Sequence, residues 1–193
     1  MKRSEKTKLE LAKALKNCMQ TKPLEKISIQ EVTDNADLKR QTFYYHFEDI
    51  YDLLKWTLER EALELLYERK DEQLWNEGLR ELLHYLDQNR AFAVNAVQSL
   101  GRDHFNRFFY QEVNDLIMNV IQQFTEEMNV CDDKYLGFLA HYYTLSFTAI
   151  AISWLMGEMD YTVDEFIQMV DQALREQLTG AKILSSEGNC VVQ

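Results

Sequence analysis

The chain has 193 residues, of which 46% are hydrophobic and 27% charged, a balance typical of a folded globular protein. Six glycines and one proline leave little turn chemistry for a many-stranded fold, so the composition favours an all-α protein. Three cysteines are widely spaced and form no CxxC pair, which argues against a disulfide framework or a zinc site. Because the N-terminal stretch also lacks the apolar core of a signal peptide, we expect a cytoplasmic protein.

Charge is distributed unevenly along the chain, although the net charge is −11. Residues 1–47 contain ten Lys and Arg against six Asp and Glu, whereas the remainder contains 11 against 26. A basic head on an acidic body is typical of a small DNA-binding region joined to a regulatory region. A surface charge that merely varies along the chain would give the same counts.

The first three predicted helices are short. Apolar residues between Lys6 and Gln20 recur at helical spacing, and Pro23 marks the end of this helix. Ser28 and Glu31 form an S-x-x-E capping box for a second helix, which precedes a break at residues 36–39. A third helix is predicted from about Lys39 to Phe47.

A longer fourth helix is predicted to begin near Asp49, and the remaining chain is also helical in pattern. The last helix starts from a second capping box, Thr162 with Glu165, and is predicted to end at Leu178 before a loose tail. The helices between them are predicted at Leu74–Leu86, Phe92–Leu100, His104–Met128 and Lys134–Gly157.

One segment has the length of a membrane span. Residues 135–157 contain no Asp, Glu, Lys or Arg. Interspersed polar residues such as His141 and Thr144, and flanks without a Lys/Arg cluster, instead favour a buried helix of a soluble protein. We therefore expect no membrane partner.

The third helix, within RQTFYYHFEDI (residues 40–50), has two different faces. With 100° per residue, Phe43 and Phe47 lie about 40° apart and face a core, and Gln41 and Tyr45 lie opposite. The outward amide, phenol, hydroxyl and cationic groups can donate to phosphates and read base edges. With the preceding capped helix, they predict a helix-turn-helix, although such a unit can also be scaffold.

At these residues the chain resembles the TetR family of bacterial transcriptional regulators. The segment KISIQEVTDNADLKRQTFYYHFEDIYDLL, with its T-F-Y-x-H-F run, is similar to the family's DNA-binding domain over about Thr7 to Leu66. The combination of RQTFYYHF and YDLLKW with a late SWLMGEM and a short amphipathic helix after it is similar to a Firmicutes branch of the family. That branch includes regulators and co-activators of dihydroxyacetone kinase operons. The resemblance implies a DNA-binding homodimer.

The resemblance also assigns roles to individual residues. Base reading would fall to Arg40, Gln41 and Tyr44, with Gln30 reaching in from the preceding helix. Phosphate or sugar contacts would come from Thr42, Tyr45 and His46, and Lys39 would add attraction. Ser28 lies beside the amide groups that begin the second helix, where a phosphate can bind.

Two positions depart from the family pattern. Asp37 replaces the usual turn glycine, and Asp tolerates left-handed φ better than most residues. Glu48 and Asp49 stand where a lysine is common, so one phosphate contact is lost unless the acids serve instead as a helix cap. This departure motivates the alternative that the protein is a co-activator or co-regulator acting through a protein partner, with weak or conditional DNA binding.

Residues 134–178 are predicted to form the homodimer interface, because small residues recur every fourth position in two rows there. The same rows could equally pack within the chain. Aromatic residues of the body could line an effector pocket, although aromatics at helical spacing are more often core. The pocket candidates are Trp56, Phe105, Phe109, His141, Tyr142, Tyr143 and Trp154.

No motif of nucleophilic, nucleotide-binding or metal-dependent catalysis occurs, so we expect no enzyme, no cofactor and no metal site. The sequence predicts an all-α fold of about nine helices. It comprises a helix-turn-helix domain over residues 1–48, a ligand-sensing and dimerisation domain over 49–180, and a disordered tail over 181–193. The predicted function is an effector-responsive transcriptional regulator that binds a palindromic operator on double-stranded DNA.

Overall fold

The computed structural model describes residues 3–67, 75–126 and 133–186. Throughout these residues the regular secondary structure is helical, which confirms the all-α prediction. The helices are α1 (Arg3–Met19), α2 (Ile29–Asn35), α3 (Arg40–His46), α4 (Ile50–Leu58), α5 (Glu64–Tyr67), α6 (Trp75–Gln88), α7 (Arg90–Leu100), α8 (Arg102–Glu126), α9 (Asp133–Leu155) and α10 (Val163–Ser186). A 3₁₀ turn occupies Leu24–Lys26, between α1 and α2.

Helices α4 and α5 belong to one helical run, because a π-helical segment, Glu59–Leu63, joins them. Counted in this way, the described residues contain the nine helices that the sequence predicts. The π segment was not predicted. Its i→i+5 hydrogen bonding brings residues five apart towards the same face, and Leu58 and Leu63 are both buried.

Helix starts agree closely with their capping signals. Asp49 accepts hydrogen bonds from the backbone N–H groups of Tyr51 and Asp52, each at 2.8 Å, and so caps α4. Thr162 and Glu165 form a complete capping box at α10: the Glu165 N–H donates to Thr162 Oγ1, and the Thr162 N–H donates to the Glu165 carboxylate. These contacts hold the pKa of Glu165 below its ordinary value.

The predicted end of the last helix at Leu178 was wrong, because α10 continues to Ser186. A single glycine inside a helix costs only about 1 kcal/mol relative to alanine, so Gly180 does not break α10 among good helix formers. Residues 181–186 of the tail predicted to be disordered are therefore helical. The rest of that tail, 187–193, lies outside the described residues.

The chain divides into two compact units, and residues 85–105 belong to the first together with residues 3–64. Helix α1 packs against α2, α4 and α7 in this unit, and α2 packs against α3. Its core side chains include Leu11, Leu15, Met19, Val32, Phe43, Leu54, Leu58 and Phe92, all at most 1% exposed. The predicted functional division into residues 1–48, 49–180 and 181–193 stays a prediction.

The second unit contains the described residues of 65–84 and 106–186. Phe147 and Trp154 of α9 each stack on Phe166 of α10, with ring centroids 5.9 Å apart. The Asn114 amide of α8 donates to Thr144 Oγ1 of α9 at 3.1 Å. Aromatic stacking and buried polar contacts thus join α8, α9 and α10.

Helix α9 is the one described helix that is long and apolar enough, over Lys134–Leu155, to cross a membrane. This criterion uses only length and composition, and core helices of soluble proteins also meet it. Thr144 and Thr148 of α9 are buried, and their hydroxyls donate to the carbonyls of Ala140 and Thr144.

Candidate nucleic-acid interface

Helix α2 begins at the predicted cap. Ser28 has extended backbone angles, and its hydroxyl accepts a hydrogen bond from the Glu31 N–H at 3.1 Å. The Glu31 carboxylate bonds to Lys22 Nζ at 2.5 Å. Gln30 is exposed beside them, and its side-chain amide donates to Asp34 at 2.7 Å.

The connection from α2 to α3 is a tight turn through Asp37. Asp37 has φ of 53°, the left-handed conformation expected of the residue that replaces the family's glycine. The Leu38 N–H then donates to the Thr33 carbonyl at 2.9 Å, which fixes the chain as it turns. This turn sets the direction in which α3 leaves α2.

Helix α3 is anchored by the two phenylalanines that the helical wheel turns inward. Phe43 is 0% exposed and Phe47 4% exposed, and their ring centroids lie 5.9 Å apart. Phe47 also packs edge-on against Trp56 of α4 at 5.8 Å. The predicted inward face of the third helix is confirmed.

The predicted outward face is accessible over its whole length. Tyr45 is 82% exposed and Tyr44 50% exposed. Such exposure is unusual for tyrosine, which is more often partly buried. Ser28, Gln30, Lys39, Arg40 and Gln41 are also exposed, and Thr42 and His46 are half-buried. All nine predicted DNA-binding residues thus lie on or beside α2 and α3 with solvent access.

Arg40 and Tyr44 form a pair on the outward face. The Arg40 guanidinium donates to the Tyr44 hydroxyl at 3.0 Å and lies 5.6 Å from the centre of its ring. A hydrogen bond and a cation–π contact together restrict the guanidinium to few orientations. The remaining guanidinium N–H groups of Arg40 are exposed on the outward face, and a guanidinium can make the two-point contact with which arginine reads guanine.

His46 lies at the end of α3, beside Lys8 of α1. Partial burial, and secondarily the charge of Lys8, lower the pKa of His46 below its ordinary value. Lys8 itself lies over the rings of Phe47 and Trp56, 5.3 and 5.5 Å from their centres. The sequence did not predict this position of Lys8. Its only signal there was the excess of Lys and Arg over Asp and Glu in the first 47 residues.

The two acidic residues after α3 differ in role. Asp49 caps α4, which confirms that an acidic residue there serves as a helix cap. Glu48 is exposed, and its backbone N–H donates to the Asp52 carboxylate at 3.0 Å. The negatively charged Glu48 side chain is therefore exposed to solvent at the end of the recognition surface, which the exposed side chains of α2 and α3 form.

The predicted pocket residues belong to both compact units, and their role as a pocket stays a prediction. Trp56 and Phe105 belong to the first unit, and Phe105 is buried there. In the second unit Phe109 is buried, and Trp154 is a core residue whose indole N–H donates to the Tyr161 carbonyl at 2.7 Å. His141 is exposed and hydrogen-bonded to the Tyr110 hydroxyl at 2.6 Å.

Tyr142 and Tyr143 line a common cavity of about 260 Å³, whose walls come from α6, α8, α9 and α10. Its other walls are mostly apolar, and burial raises the pKa of Tyr143 to about 12. Leu66 and α8 border a second cavity of about 300 Å³ with a polar lining that includes Glu112 and Asp115. Within the described ranges, no three His, Cys, Asp or Glu side chains are grouped as a metal site would require.

A helix-turn-helix with an exposed polar and cationic second helix, followed by a helical body, defines a DNA-binding transcriptional regulator. A family model described as a transcriptional regulator C-terminal region matches residues 73–176. The chain belongs to the TetR family of transcriptional regulators. Its relatives are regulators and not enzymes, in agreement with the absence of catalytic motifs.

Within this family the chain is similar to the DhaS-like branch. It is 29% identical to the HTH-type dhaKLM operon transcriptional activator DhaS of Lactococcus lactis subsp. lactis (strain IL1403), over 96% of each chain. The solved structure of a dihydroxyacetone kinase operon activator DhaS matches with a TM-score of 0.76 and 26% identity, over 90% of this chain and 96% of that one. A TetR-family regulator from Streptomyces coelicolor matches in fold, with a TM-score of 0.62 and 16% identity over 98% and 91%.

Proposed function

We propose that the protein is a homodimeric regulator that binds a two-fold symmetric operator through α3 and controls a dihydroxyacetone kinase operon. The proposal rests mainly on the outward face of α3, where exposed aromatic, amide and cationic groups surround the hydrogen-bonded Arg40–Tyr44 pair. The assignment of the operon follows the similarity to DhaS. As in that relative, we propose that the regulator activates transcription.

The side chains divide into two groups by chemistry. Arg40, Gln41 and Tyr44 present bidentate or directional donors, suited to base edges in the major groove, with Gln30 beside them. Thr42, Tyr45, His46 and Ser28 present single donors suited to phosphate oxygens, and Lys39 adds charge. This division predicts which substitutions change sequence preference and which weaken binding to every sequence.

The proposed dimer forms through α9 and α10. Phe138, Tyr142 and Leu145 of α9 are 60%, 52% and 45% exposed and recur at spacings of four and three residues. They form an apolar stripe, which the exposed Ala149 continues. In the single chain this stripe is exposed to water. A second copy would bury it, since a helix face of this kind is stabilised by packing against another helix.

One of the two predicted rows of small residues packs within the chain. Ala140, Thr144 and Thr148 are buried, and Thr144 accepts a hydrogen bond from Asn114. This row brings α8 close to α9 and leaves the apolar stripe free for the partner. In a symmetric dimer the two recognition helices read half-sites about 34–36 Å apart, or a multiple of this distance.

Effector binding is proposed for the cavity that Tyr142 and Tyr143 line. Its apolar walls on α9 and α10 include residues next to the apolar stripe, so a bound molecule would bias how the two copies pack. The size of about 260 Å³ suits a small metabolite.

A second candidate function is a co-regulator that reaches the operator with a protein partner. Glu48 is exposed at the end of the recognition surface, where a negative charge repels the phosphate backbone. Such a protein would have weak affinity for DNA alone, and the partner would supply the remaining contacts.

Fluorescence anisotropy with the DNA upstream of the dihydroxyacetone kinase operon, at several salt concentrations, tests the proposal. Specific binding in the nanomolar range with a steep loss of affinity at high salt is expected. Arg40→Gln should abolish the preference over scrambled DNA. Arg107→Gln, which removes the same charge from an exposed position on α8, should not. Specific binding only after addition of a partner protein would instead support the co-regulator.

A further inference from the structure

Asn95 is a buried polar residue on α7, whose residues Phe92 and Ala96 are also buried. Its side-chain amide donates to the carbonyls of Met19 and Lys22, and its oxygen accepts from the Leu24 N–H at 3.0 Å and from Ser99 Oγ at 3.2 Å. Two donors and two acceptor positions are all that an asparagine side chain offers. The amide is therefore fully used.

The three backbone groups lie in one segment, the connection between α1 and the 3₁₀ turn before α2. They are more than seventy residues from Asn95 in sequence, so α7 holds this connection by tertiary contact. Carbonyl and N–H groups in such a connection need partners once they are buried. Asn95 supplies them.

The connection is in turn tied to α2. Lys22, whose carbonyl Asn95 binds, extends its ammonium to Glu31 of α2 at 2.5 Å. This contact raises the pKa of Lys22. A continuous series of polar contacts thus runs from α7 through Lys22 to the helix that precedes the recognition helix.

We infer that Asn95 is a positioning residue for DNA binding: it holds α2 in register with α7, so that displacement of α7 changes how α2 and α3 meet the operator. This inference rests on the proposed DNA-binding function. It adds α7 to the DNA-binding machinery, which the sequence confined to residues 1–48.

A purely structural role would show itself differently. Loss of Asn95 would then lower the melting temperature without changing the DNA affinity of the folded protein. A positioning role requires weaker DNA binding by fully folded protein, and it requires coupling between Asn95 and the Lys22–Glu31 contact.

The test is a double-mutant cycle on operator affinity with Asn95→Ala and Glu31→Gln, measured at 10 °C on protein shown by circular dichroism to be folded. Each single change should weaken binding about fivefold or more, and the double variant should be no weaker than Asn95→Ala alone. The direction expected for Glu31→Gln distinguishes the positioning role from a simple charge effect. Removing a negative charge near DNA should by itself strengthen binding, whereas the positioning role predicts weaker binding.

Val97→Ala is the matched control, since Val97 is buried on the same helix and its side chain makes none of these hydrogen bonds. It should lower the melting temperature and leave DNA affinity within twofold. Amide hydrogen exchange of Leu24 should accelerate at least tenfold in Asn95→Ala but not in Val97→Ala.

The outcomes separate the two proposals. If the natural protein binds no upstream DNA, the proposed function fails, while Leu24 exchange still reports on the contact. If it binds and the two changes are additive, or Asn95→Ala binds as tightly as the natural protein, the positioning role is overturned. Should Asn95→Ala not fold, Ser99→Ala replaces it in the same cycle, and additivity there has the same meaning.

Discussion

In the proposed complex Tyr44 contacts DNA directly and also orients Arg40. Its ring and hydroxyl hold the Arg40 guanidinium, so loss of Tyr44 frees Arg40 to adopt many orientations. The aromatic ring and the hydroxyl can be separated by substitution, because phenylalanine keeps the ring and alanine removes both.

We predict that Tyr44→Ala reduces the preference for operator over scrambled DNA by about tenfold or more, the value of roughly one lost base contact. Tyr44→Phe should retain part of that preference, because the cation–π contact remains. Competition binding with both DNAs measures the ratio. His46→Ala, by contrast, should weaken binding to both sequences alike. Unchanged binding in all these variants would refute the assignment of the recognition helix.

If His46 contacts a phosphate as proposed, DNA binding should depend on pH. Burial and Lys8 hold its pKa below the ordinary 6.5, so it is neutral at pH 7.5 in the free protein. A bound phosphate favours the protonated form, and binding therefore takes up a proton.

We predict that operator affinity rises about three- to tenfold between pH 7.5 and pH 6 as His46 becomes protonated on binding. His46→Gln should flatten this dependence, and His84→Gln, at an exposed position on α6, should not. The lowered pKa also means that the stability of the folded chain is unaffected above pH 6.5 and falls as the pH drops below it. Affinity should therefore be measured only where circular dichroism shows native signal. A rise that persists in His46→Gln would assign the proton elsewhere.

Individual elements differ in how far local sequence determines them. The starts of α2, α4 and α10 follow from Ser28, Asp49 and Thr162, whose caps involve residues two or three positions away. The inward face of α3 follows from helical geometry alone. Such features were predictable because the interacting groups are close in sequence.

Other elements depend on contacts that sequence spacing does not reveal. The bonds from Asn95 to the α1–α2 connection span more than seventy residues, and the inclusion of residues 85–105 in the first unit is likewise non-local. The π segment and the continuation of α10 past Gly180 likewise have no signal in the spacing of apolar residues. Helical geometry predicted the outward face of α3. It did not predict the contact between Arg40 and Tyr44 or the position of Lys8 over the rings of Phe47 and Trp56.

The turn before α3 carries backbone strain that can be relieved. Asp37 adopts φ of 53°, which glycine reaches without steric cost. We predict that Asp37→Gly raises the free energy of unfolding by about 0.5–1 kcal/mol. Urea denaturation measures the change. Asp34→Gly, at a helical position of α2, should instead lower it by about 0.5 kcal/mol; a loss of stability in both would show that Asp37 is unstrained.

At the scale of the whole molecule, the proposed dimer would form through the apolar stripe on α9. Leu145 is 45% exposed in the single chain and would lie in the interface of the dimer. In a two-fold interface every substitution occurs twice, so its effect on association is doubled.

We predict that Leu145→Glu raises the dissociation constant of the dimer by about a hundredfold or more, because each interface loses roughly two apolar side chains' burial and gains two charges. Analytical ultracentrifugation should show dimer for the natural protein and monomer for the variant at micromolar concentration. Gln98→Glu adds the same charge at an exposed position of α7 and should remain dimeric. A dimeric Leu145→Glu would exclude this face of α9 as the interface.

The uncovered stripe on α9 also bears on how gene expression responds to protein abundance. If two copies must meet before an operator can be held, the number of competent molecules rises with the square of subunit number while dimers are scarce. A twofold increase in synthesis then gives nearly a fourfold increase in occupancy. If Phe138, Tyr142 and Leu145 join two copies, a modest change in protein level would therefore produce a steeper change in transcription.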